Sequence, residues 1–419
     1  MNSLAIIGVD VVDCTGAPTR ERQDVLVEDG RITSVAPSGT AAAASSNSGI
    51  VIDGAGLTLV PGLMDAHAHV ALLGSDGTHG DLPWAEHVLQ VVDVIGRALD
   101  EGFTTLRDAC GTEPIFATLV ASGRVRGPRI LPSGSVLSQT GGHGDLRPAH
   151  HGGSRPPTIP GLVARPEVVD GVDAVMRMTR EQLRRGATQI KMFAGGGALS
   201  PTDPLESVQF TVDEIRAAVT VARSWGTYVH THCHTKPTMH NALDAGVRCI
   251  EHGTDMDEET ADRIVAEGVF VVPTLSVSHD LLQAREAAGI TPAQIAKLES
   301  MQGRRDEGMR VMVERGVKMA SGSDIVGPVQ DRRGRELTYK AAVIGNERAL
   351  VAATRTTAEL IGRADDLGTV EIGKIADLVL TDGNPLDDIE ALADPVRIQY
   401  VVQGGRVVRD QRSATATAA

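Results

Sequence analysis

Short apolar runs broken by turns mark the two ends of the chain. The segments "SLAIIGVDVVD", "DVLVEDGRITSVAP" and "GIVIDGAGLTLV" are rich in Val and Ile and contain Asp-Gly pairs, a pattern typical of strands joined by tight turns. The segments "ADLVLTDGNPL" and "VRIQYVVQGGRVVRD" repeat the pattern near the other end. We predict a small β-sandwich domain formed by residues 1–60 and 365–412. Residues 41–48 are expected to form a loop, and residues 413–419 a disordered tail.

Between the two ends, short apolar runs alternate with helical stretches. Amphipathic periodicity is found, for example, at 85–101, 167–185 and 212–224. Eight strand–helix units in about 300 residues predict an α/β fold of the (β/α)8 TIM-barrel type over residues 61–364. An open doubly wound sheet is the alternative, but no G-x-G-x-x-G motif follows the first strand. The eight apolar runs are "LVPGLMDAHAHV", "FTTLRDA", "RILPSG", "TQIKMFAGG", "TYVHTHCH", "CIEHGT", "FVVPTLS" and "VKMASGSD".

Composition narrows the possible partners. The formal net charge is −14 and no basic run is present, which argues against a nucleic-acid-binding surface. The four cysteines are scattered and form no CxxC pair, which favours a reducing compartment. The chain begins without a basic, apolar leader, and no segment offers roughly eighteen consecutive apolar residues. We therefore expect a cytoplasmic protein that binds neither nucleic acid nor membrane.

Residues of metal-ligand type, together with one lysine, end five of the eight apolar runs. In a barrel the ends of the strands form the active site. Taken singly, each residue has an ordinary structural explanation, such as a packed lysine stem, a hydrogen-bonded core histidine or an N-capping aspartate. Taken together, they would be costly buried polar groups unless they shared a partner. We predict a metal centre formed by His67, His69, Lys191, His232, His252 and Asp324.

Two metal ions fit this set of residues. Imidazoles and a carboxylate suit zinc or another first-row divalent ion. In an apolar interior the pKa of Lys191 falls, and the neutral amine can react with carbon dioxide to give N6-carboxylated lysine, which can bridge two ions. A hydroxide between the ions would attack a carbonyl carbon, with Asp324 as the proton shuttle. This predicts hydrolysis of an amide or related bond. The ligands would be His67, His69 and Asp324 for one ion, and His232 and His252 for the other.

The motifs "DAHAH", "QIKMFAGGG", "HTHCHT", "IEHG" and "SGSD" resemble, in this order, the amidohydrolase superfamily. The segments "TGGHGD", "IEHGT" and "TTLRDACG" are similar to its branch of metal-dependent dipeptidases that act on Xaa-Pro or Xaa-Arg, which also contains the ochratoxin-hydrolysing amidohydrolases. The resemblance implies a small amide or dipeptide substrate with a free carboxylate. A C-terminal amino acid would be released, such as phenylalanine from ochratoxin A. It also implies a homo-oligomer, of which an octamer is one form.

The resemblance further implies that groups outside the metal ligands bind the substrate carboxylate and amide carbonyl. His143, in a glycine-rich loop, and His234, two residues beyond a ligand, are the candidates, with a mobile loop histidine as the alternative for His143. We interpret His230 as a structural residue or one that supports the ligands. Arg107 is expected in a structural ion pair, and the charged loop "DRRGRE" at 331–336 at a solvated surface.

Three other functions remain open. The first is an Xaa-Pro or Xaa-Arg dipeptidase. The second is an imidazolonepropionase-like or deaminase-type enzyme with one metal ion; the resemblance weighs against it, because those relatives generally lack the bridging lysine. The third is a catalytically inactive scaffold homologue. The sequence argues against it, because every ligand position is filled.

Overall fold

The computed structural model describes residues 3–39, 49–74, 82–147, 161–200 and 203–413. The loop expected at 41–48 therefore lies outside the described residues, and of the tail expected at 413–419 only Ser413 is described. The chain divides into two compact units. The first contains Met1–Asp65, Ile95–Thr105 and Arg332–Ala419, and the second contains Ala66–Val94 and Leu106–Asp331.

The described residues contain short strands and helices of varied length. The strands are β1 Ser3–Val11, β2 Arg20–Glu28, β3 Arg31–Pro37, β4 Ile50–Asp53, β5 Leu57–Pro61, β6 Leu63–Ala68, β7 Phe103–Asp108, β8 Arg129–Pro132, β9 Leu137–Ser138, β10 Glu167–Val168, β11 Ile190–Phe193, β12 Val229–Cys233, β13 Cys249–His252, β14 Phe270–Val272, β15 Leu378–Asp382, β16 Ile398–Gln403 and β17 Arg406–Asp410. The helices are α1 Trp84–Asp100, α2 Ile115–Ala121, α3 Val172–Arg184, α4 Val212–Ser224, α5 Lys236–Ala245, α6 Glu258–Glu267, α7 Ser276–Gln283, α8 Arg285–Ala288, α9 Pro292–Arg315, α10 Arg335–Ile344, α11 Asn346–Val351, α12 Thr357–Leu360 and α13 Glu390–Ala393. Across the described ranges, none of these helices is both long and apolar enough to cross a bilayer.

Strands from both ends of the chain form one eight-stranded sheet in the first unit. Its order is β17-β16-β15-β5-β1-β2-β3, and β4 also pairs with β1. β1 is antiparallel to β2 and parallel to β5, and β5 is antiparallel to β15. Branched side chains such as Ile6, Val25 and Val27 are buried beneath it, as expected of residues that pack well on a pleated surface.

Parallel strands dominate the second unit. The order β10-β9-β11-β12-β13-β14 is parallel at every pair. Outside this sheet, the chain also forms a three-stranded sheet of β6, β7 and β8. Helices α4, α5 and α6 alternate with β11 to β14 along the chain, as parallel connections require. The prediction of an α/β fold with parallel strands is confirmed.

The eighth apolar run, "VKMASGSD", does not form a regular strand. Met319 makes one isolated parallel bridge to Val271, and the amide of Asp324 donates to the carbonyl of His67 at 2.8 Å. Gly322 lies so close to β6 that a Cβ atom there would be 2.5 Å from the Cβ of His67. The segment therefore contacts both β14 and β6 without a continuous ladder.

The predicted start of a helix is correct where the sequence contains a capping motif. The stretch expected at 212–224 is α4, which begins with a capping box between Thr211 and Glu214. The stretch expected at 85–101 is α1, shifted by one residue. The stretch expected at 167–185 begins instead as β10 and becomes helical only at Val172.

Candidate metal centre

The residues predicted for the site meet at one cavity of about 120 Å³ in the second unit. Apolar side chains such as Phe193, Val277, Leu298 and Met301 form part of its wall. His67, His232 and His252 lie at or next to the C-terminal ends of β6, β12 and β13, where parallel α/β folds bind ligands. The predicted residues that line it are His67, His69, His143, Lys191, His232, His234, His252 and Asp324.

His67, His69 and Asp324 form the first cluster. One ligand atom of each lies within 4.8 Å of the others. The Asp324 Oδ1 atom lies 2.9 Å from Nε2 of His69 and 3.4 Å from Nε2 of His67. His67 lies in β6 and His69 follows its last residue, Ala68, so the two imidazoles are two positions apart along the chain and both reach Asp324. Asp324 has a φ of 56°, a conformation that is costly for a residue with a side chain and is found where function requires it.

His232, His234 and His252 form the second cluster, again with ligand atoms within 4.8 Å. Nε2 of His252 is 2.8 Å from Nδ1 of His232. The outer nitrogens are oriented by hydroxyl groups, since Nδ1 of His252 is 2.7 Å from Thr274 Oγ1 and Nδ1 of His234 is 2.8 Å from Thr254 Oγ1. His252 also has a positive φ, 70°. His232 and His252 were predicted as ligands, and the structure places His234 within the same group.

The two clusters adjoin each other, and their charges suit divalent ions. The rings of His67 and His252 have centroids 5.1 Å apart, and Asp324 Oδ2 is 3.9 Å from Nδ1 of His252. Burial, together with neighbouring histidines, lowers the pKa of His232 and of His252 well below the usual value. Neutral imidazoles have a lone pair to donate, so this donor set fits a zinc-like ion.

Lys191 is the third component of the cavity. It lies in β11 and is 1% exposed. Its Nζ atom makes no hydrogen bond to any described residue. Burial lowers the pKa of this amine, against the attraction of Glu251 and Asp324. A buried, unpaired amine is costly, so Lys191 has the environment expected of a lysine that reacts with carbon dioxide or loses its proton.

A buried charge network lies behind the first cluster. Glu251 Oε2 is 2.6 Å from Nδ1 of His67, and Oε1 is 2.6 Å from Arg107 Nη2 and 2.9 Å from Nδ1 of His230. Burial opposes the charge on Glu251, yet Arg107 and the two histidines hold its pKa well below the usual range. Arg107 is thus in a structural ion pair with Glu251, and His230 contacts the same carboxylate. The carboxylate fixes the tautomer and orientation of His67.

We expect Glu251→Gln to weaken both metal binding and stability. The amide cannot balance Arg107, and breaking a buried pair costs about 3–5 kcal/mol, while loss of a group that orients a ligand weakens metal affinity by about 10–100-fold. Zinc titration and thermal melting measure the two effects. Glu181→Gln, which removes a surface pair with Arg184, is the matched control and should change neither. Unchanged zinc affinity in Glu251→Gln would contradict the role given to Glu251.

His143 lies against the second cluster. Its ring stacks on that of His232 with centroids 4.7 Å apart, and its Nδ1 atom is 3.7 Å from Asp203 Oδ2. Burial raises the pKa of Asp203, but attraction to His143 and a hydrogen bond donated by Gln209 at 3.0 Å bring it to about 2. A Cβ atom at Gly197 would lie 2.2 Å from the His143 ring, so a side chain there would displace this ring. His143 is held beside the cavity by these contacts.

One cavity residue was missed by the sequence reasoning. Arg305 is 3% exposed and lines the cavity from α9. The signal was present in the sequence, because Arg305 interrupts a buried stripe at helical spacing that includes Leu298, Met301, Met309 and Met312. A cation inside an apolar stripe is rare unless it has a partner or a function.

Comparison with known proteins agrees with this geometry. The model of the Amidohydrolase family matches residues 58–408. Ochratoxinase of Aspergillus niger is 30% identical over 365 residues, which cover 84% of this chain and 75% of that protein. A solved prolidase complexed with N-methylphosphonate-L-proline has a TM-score of 0.90 at 36% identity and covers 98% of this chain and 100% of its own. A solved Xaa-Pro dipeptidase with bound methionine in the active site has a TM-score of 0.86 at 27% identity, with 97% and 100% coverage.

The family match extends over most of the chain, and its boundaries enclose all the cavity residues described above. It agrees with the parallel α/β fold and with the histidine clusters at the strand ends. The resemblance inferred from the motifs is confirmed. The chain belongs to the amidohydrolase family, and it is a hydrolase that acts on amide bonds.

Proposed function

We propose that the protein is a binuclear-metal amide hydrolase that releases a C-terminal amino acid from an N-acyl amino acid or a dipeptide. The observation that carries the proposal is the meeting of two ligand clusters and the buried Lys191 at one cavity. The names of the relatives, ochratoxinase, prolidase and Xaa-Pro dipeptidase, support the same bond type. Ochratoxin A, an aromatic acyl group joined to phenylalanine, is one candidate substrate.

The proposed ligands follow the two clusters. His67, His69 and Asp324 would hold one ion, His232 and His252 the other, and N6-carboxylated Lys191 would be shared. His234 lies close enough to serve either the second ion or the substrate. Zinc is proposed because imidazole and carboxylate donors suit it. When bound, two divalent ions lower the pKa of water and polarise a carbonyl group.

The residues of the chain would supply the remaining chemistry. Asp324 would accept the proton of the attacking water at a carboxylate oxygen and return it to the amide nitrogen. As the C–O bond forms and the C–N bond breaks, the leaving group departs as a neutral amine. His143 and His234, both on the cavity wall, would donate hydrogen bonds to the substrate carbonyl or carboxylate. The apolar wall would exclude water and hold the substrate side chain.

An Xaa-Pro dipeptidase is the second candidate, and it uses the same chemistry. It is favoured by the solved prolidase, whose bound compound, N-methylphosphonate-L-proline, contains proline. The mononuclear deaminase reading is less favoured, because it leaves the buried Lys191 at the cavity without a role.

The finer architecture is also proposed. Residues 61–364 would form a closed (β/α)8 barrel, and residues 1–60 with 365–412 a β-sandwich domain, followed by a disordered tail at 413–419. The protein would form a homo-oligomer in the cytoplasm, and an octamer is the assembly to test by light scattering. The contacts of the "VKMASGSD" segment with both β14 and β6 support closure.

A hydrolysis screen tests the proposed function. Zinc-loaded protein is incubated with N-acyl amino acids, Xaa-Pro and Xaa-Arg dipeptides and ochratoxin A, and the products are identified by mass spectrometry. We expect release of a free amino acid from at least one carboxylate-bearing amide. Enzyme treated with a chelator is the control and should be inactive until zinc is restored. Release of no amino acid from any member of the panel would contradict the proposal.

A further inference from the structure

Gln209 links the loop that carries His143, residues 139–145, to the segment that follows β11. It is 1% exposed and is not among the described residues that line the cavity. Its Oε1 atom accepts a hydrogen bond from the amide of His143 at 2.8 Å, and its Nε2 atom donates to Asp203 Oδ2 at 3.0 Å. Because one partner is a donor and the other is a carboxylate, the orientation of the Gln209 amide group is fixed by its contacts.

A second glutamine makes the reciprocal contact. Gln139 follows β9 directly, and its Oε1 atom accepts a hydrogen bond from the amide of Phe210 at 2.6 Å. Phe210 has a φ of 56°, which is costly for a bulky side chain. Such a conformation persists only where the surrounding contacts hold it, and it is concentrated at functional sites. The two glutamines therefore join the His143 loop to residues 209–210 at two points.

The contacts of Gln209 fix both the main chain of His143 and the carboxylate that faces its ring. Asp203 Oδ2 lies 3.7 Å from Nδ1 of His143. Asp203 is held in turn from α9, because Lys297 Nζ donates to its carbonyl at 2.8 Å. The edge of the imidazole packs against Phe193, with ring centroids 4.6 Å apart. Once the loop is fixed, the ring has little freedom to move.

We propose that Gln209 is a positioning residue, which holds His143 at the cavity so that its ring is in place to bind the substrate carbonyl or carboxylate. The inference rests on the amide-hydrolase function proposed above and deepens it, because it explains how a histidine in a glycine-rich loop is kept in one place. A small displacement of a positioned group greatly reduces its effect on the rate. Because the loop is ordered before the substrate arrives, less entropy is lost on binding.

A purely structural role for Gln209 leads to a different expectation. Loss of a buried hydrogen bond would then lower stability but leave hydrolysis unchanged. Gln182 supplies the matched control, since it is also buried and its Oε1 atom accepts a hydrogen bond from the amide of Ser135 at 3.0 Å. Neither Gln182 nor Ser135 is among the described residues that line the cavity. Gln182→Met therefore removes the same kind of contact away from His143.

Hydrogen exchange on zinc-loaded protein tests the contact without any substrate. We expect the peptide that contains residues 139–145 to exchange about tenfold faster in Gln209→Met than in wild type, because the amide of His143 loses its acceptor. Gln182→Met should leave this peptide unchanged. Gln139→Met removes the acceptor of the Phe210 amide and should also accelerate exchange, so it serves if Gln209→Met does not fold. Unchanged exchange in whichever of these two variants folds would overturn the inference.

A double-mutant cycle tests the effect on hydrolysis. With the amide substrate identified in the screen, Gln209→Met should lower kcat/KM by about 10–100-fold without loss of zinc, and Gln182→Met should leave it unchanged. If Gln209 acts through His143, adding Gln209→Met to His143→Ala should cause no further loss. Losses that multiply would overturn the inference. Faster exchange in Gln209→Met, combined with no hydrolysis of any substrate by wild type, would support the position of His143 and count against the proposed function.

Discussion

Replacing Asp324 with Asn is expected to lower kcat by about 10²–10⁴-fold, the contribution of a positioned acid–base group. The amide is nearly the same size but cannot accept the proton of the attacking water or return it to the leaving nitrogen. Asp324 reaches both clusters, at 2.9 Å from Nε2 of His69 and 3.9 Å from Nδ1 of His252. It is the only carboxylate among the described residues that line the cavity, so no other carboxylate there can replace it. Steady-state kinetics on metal-loaded enzyme, with metal content measured in parallel, provides the test.

The control is Asp262→Asn, which removes a surface partner of Arg315 and should leave kcat unchanged. Metal content separates two causes of a low rate in Asp324→Asn. If zinc is retained and kcat falls, the proton-transfer role is supported. If kcat with full zinc is close to wild type, Asp324 is a ligand at most, and the proton must move through another group.

Much of the site could be predicted because its residues follow strand periodicity. His67 and His69 are two residues apart, and so are His232 and His234, which places each pair on one face of a strand. Such spacing is local information. The position of Lys191 at the end of an apolar run is local as well. If these strand ends are placed side by side in a parallel α/β fold, the predicted residues meet at one site.

The parts that escaped prediction depend on contacts between distant residues. The apolar stripe of α9 marks Arg305 as unusual, but the sequence does not show that this stripe faces the cavity, where Thr274, 31 positions away, accepts a hydrogen bond from Arg305. Arg107 was expected in an ion pair, but its partner Glu251 lies 144 positions away, so the sequence did not identify that partner. Sequence spacing carries no signal for such pairs.

Two local interpretations were wrong for a physical reason. The charged loop at 331–336 was expected at the surface, yet Arg333 is buried in an ion pair with Asp65; charge predicts exposure only when no buried partner exists. The segment "VKMASGSD" was expected as a regular strand, but Gly322 must lie against His67 and Asp324 has a positive φ. Placing the Asp324 side chain at the site interrupts the ladder.

The largest effect is expected for Lys191→Ala, which should lose bound metal and activity together. If the carboxylated amine is the shared ligand, its removal takes away a negative charge between two ions as well as their bridge, so the loss should exceed the ~10⁴-fold upper range of acid–base catalysis. Metal analysis and kinetics on the purified variant measure both quantities. Lys236→Ala, an exposed lysine paired with Asp257 and Glu259, is the matched control and should bind metal normally.

Bicarbonate dependence isolates the chemistry of Lys191 from simple loss of packing. Burial lowers the pKa of this amine, which leaves more of it neutral and able to attack carbon dioxide. Metal-free wild type should therefore take up zinc slowly in buffer stripped of carbon dioxide and faster when bicarbonate is added, whereas Lys191→Ala should show no such response. Rapid, complete zinc uptake by wild type without carbon dioxide, or full activity of Lys191→Ala, would rule out the carboxylated lysine and leave the two histidine clusters to hold their ions without a shared bridge.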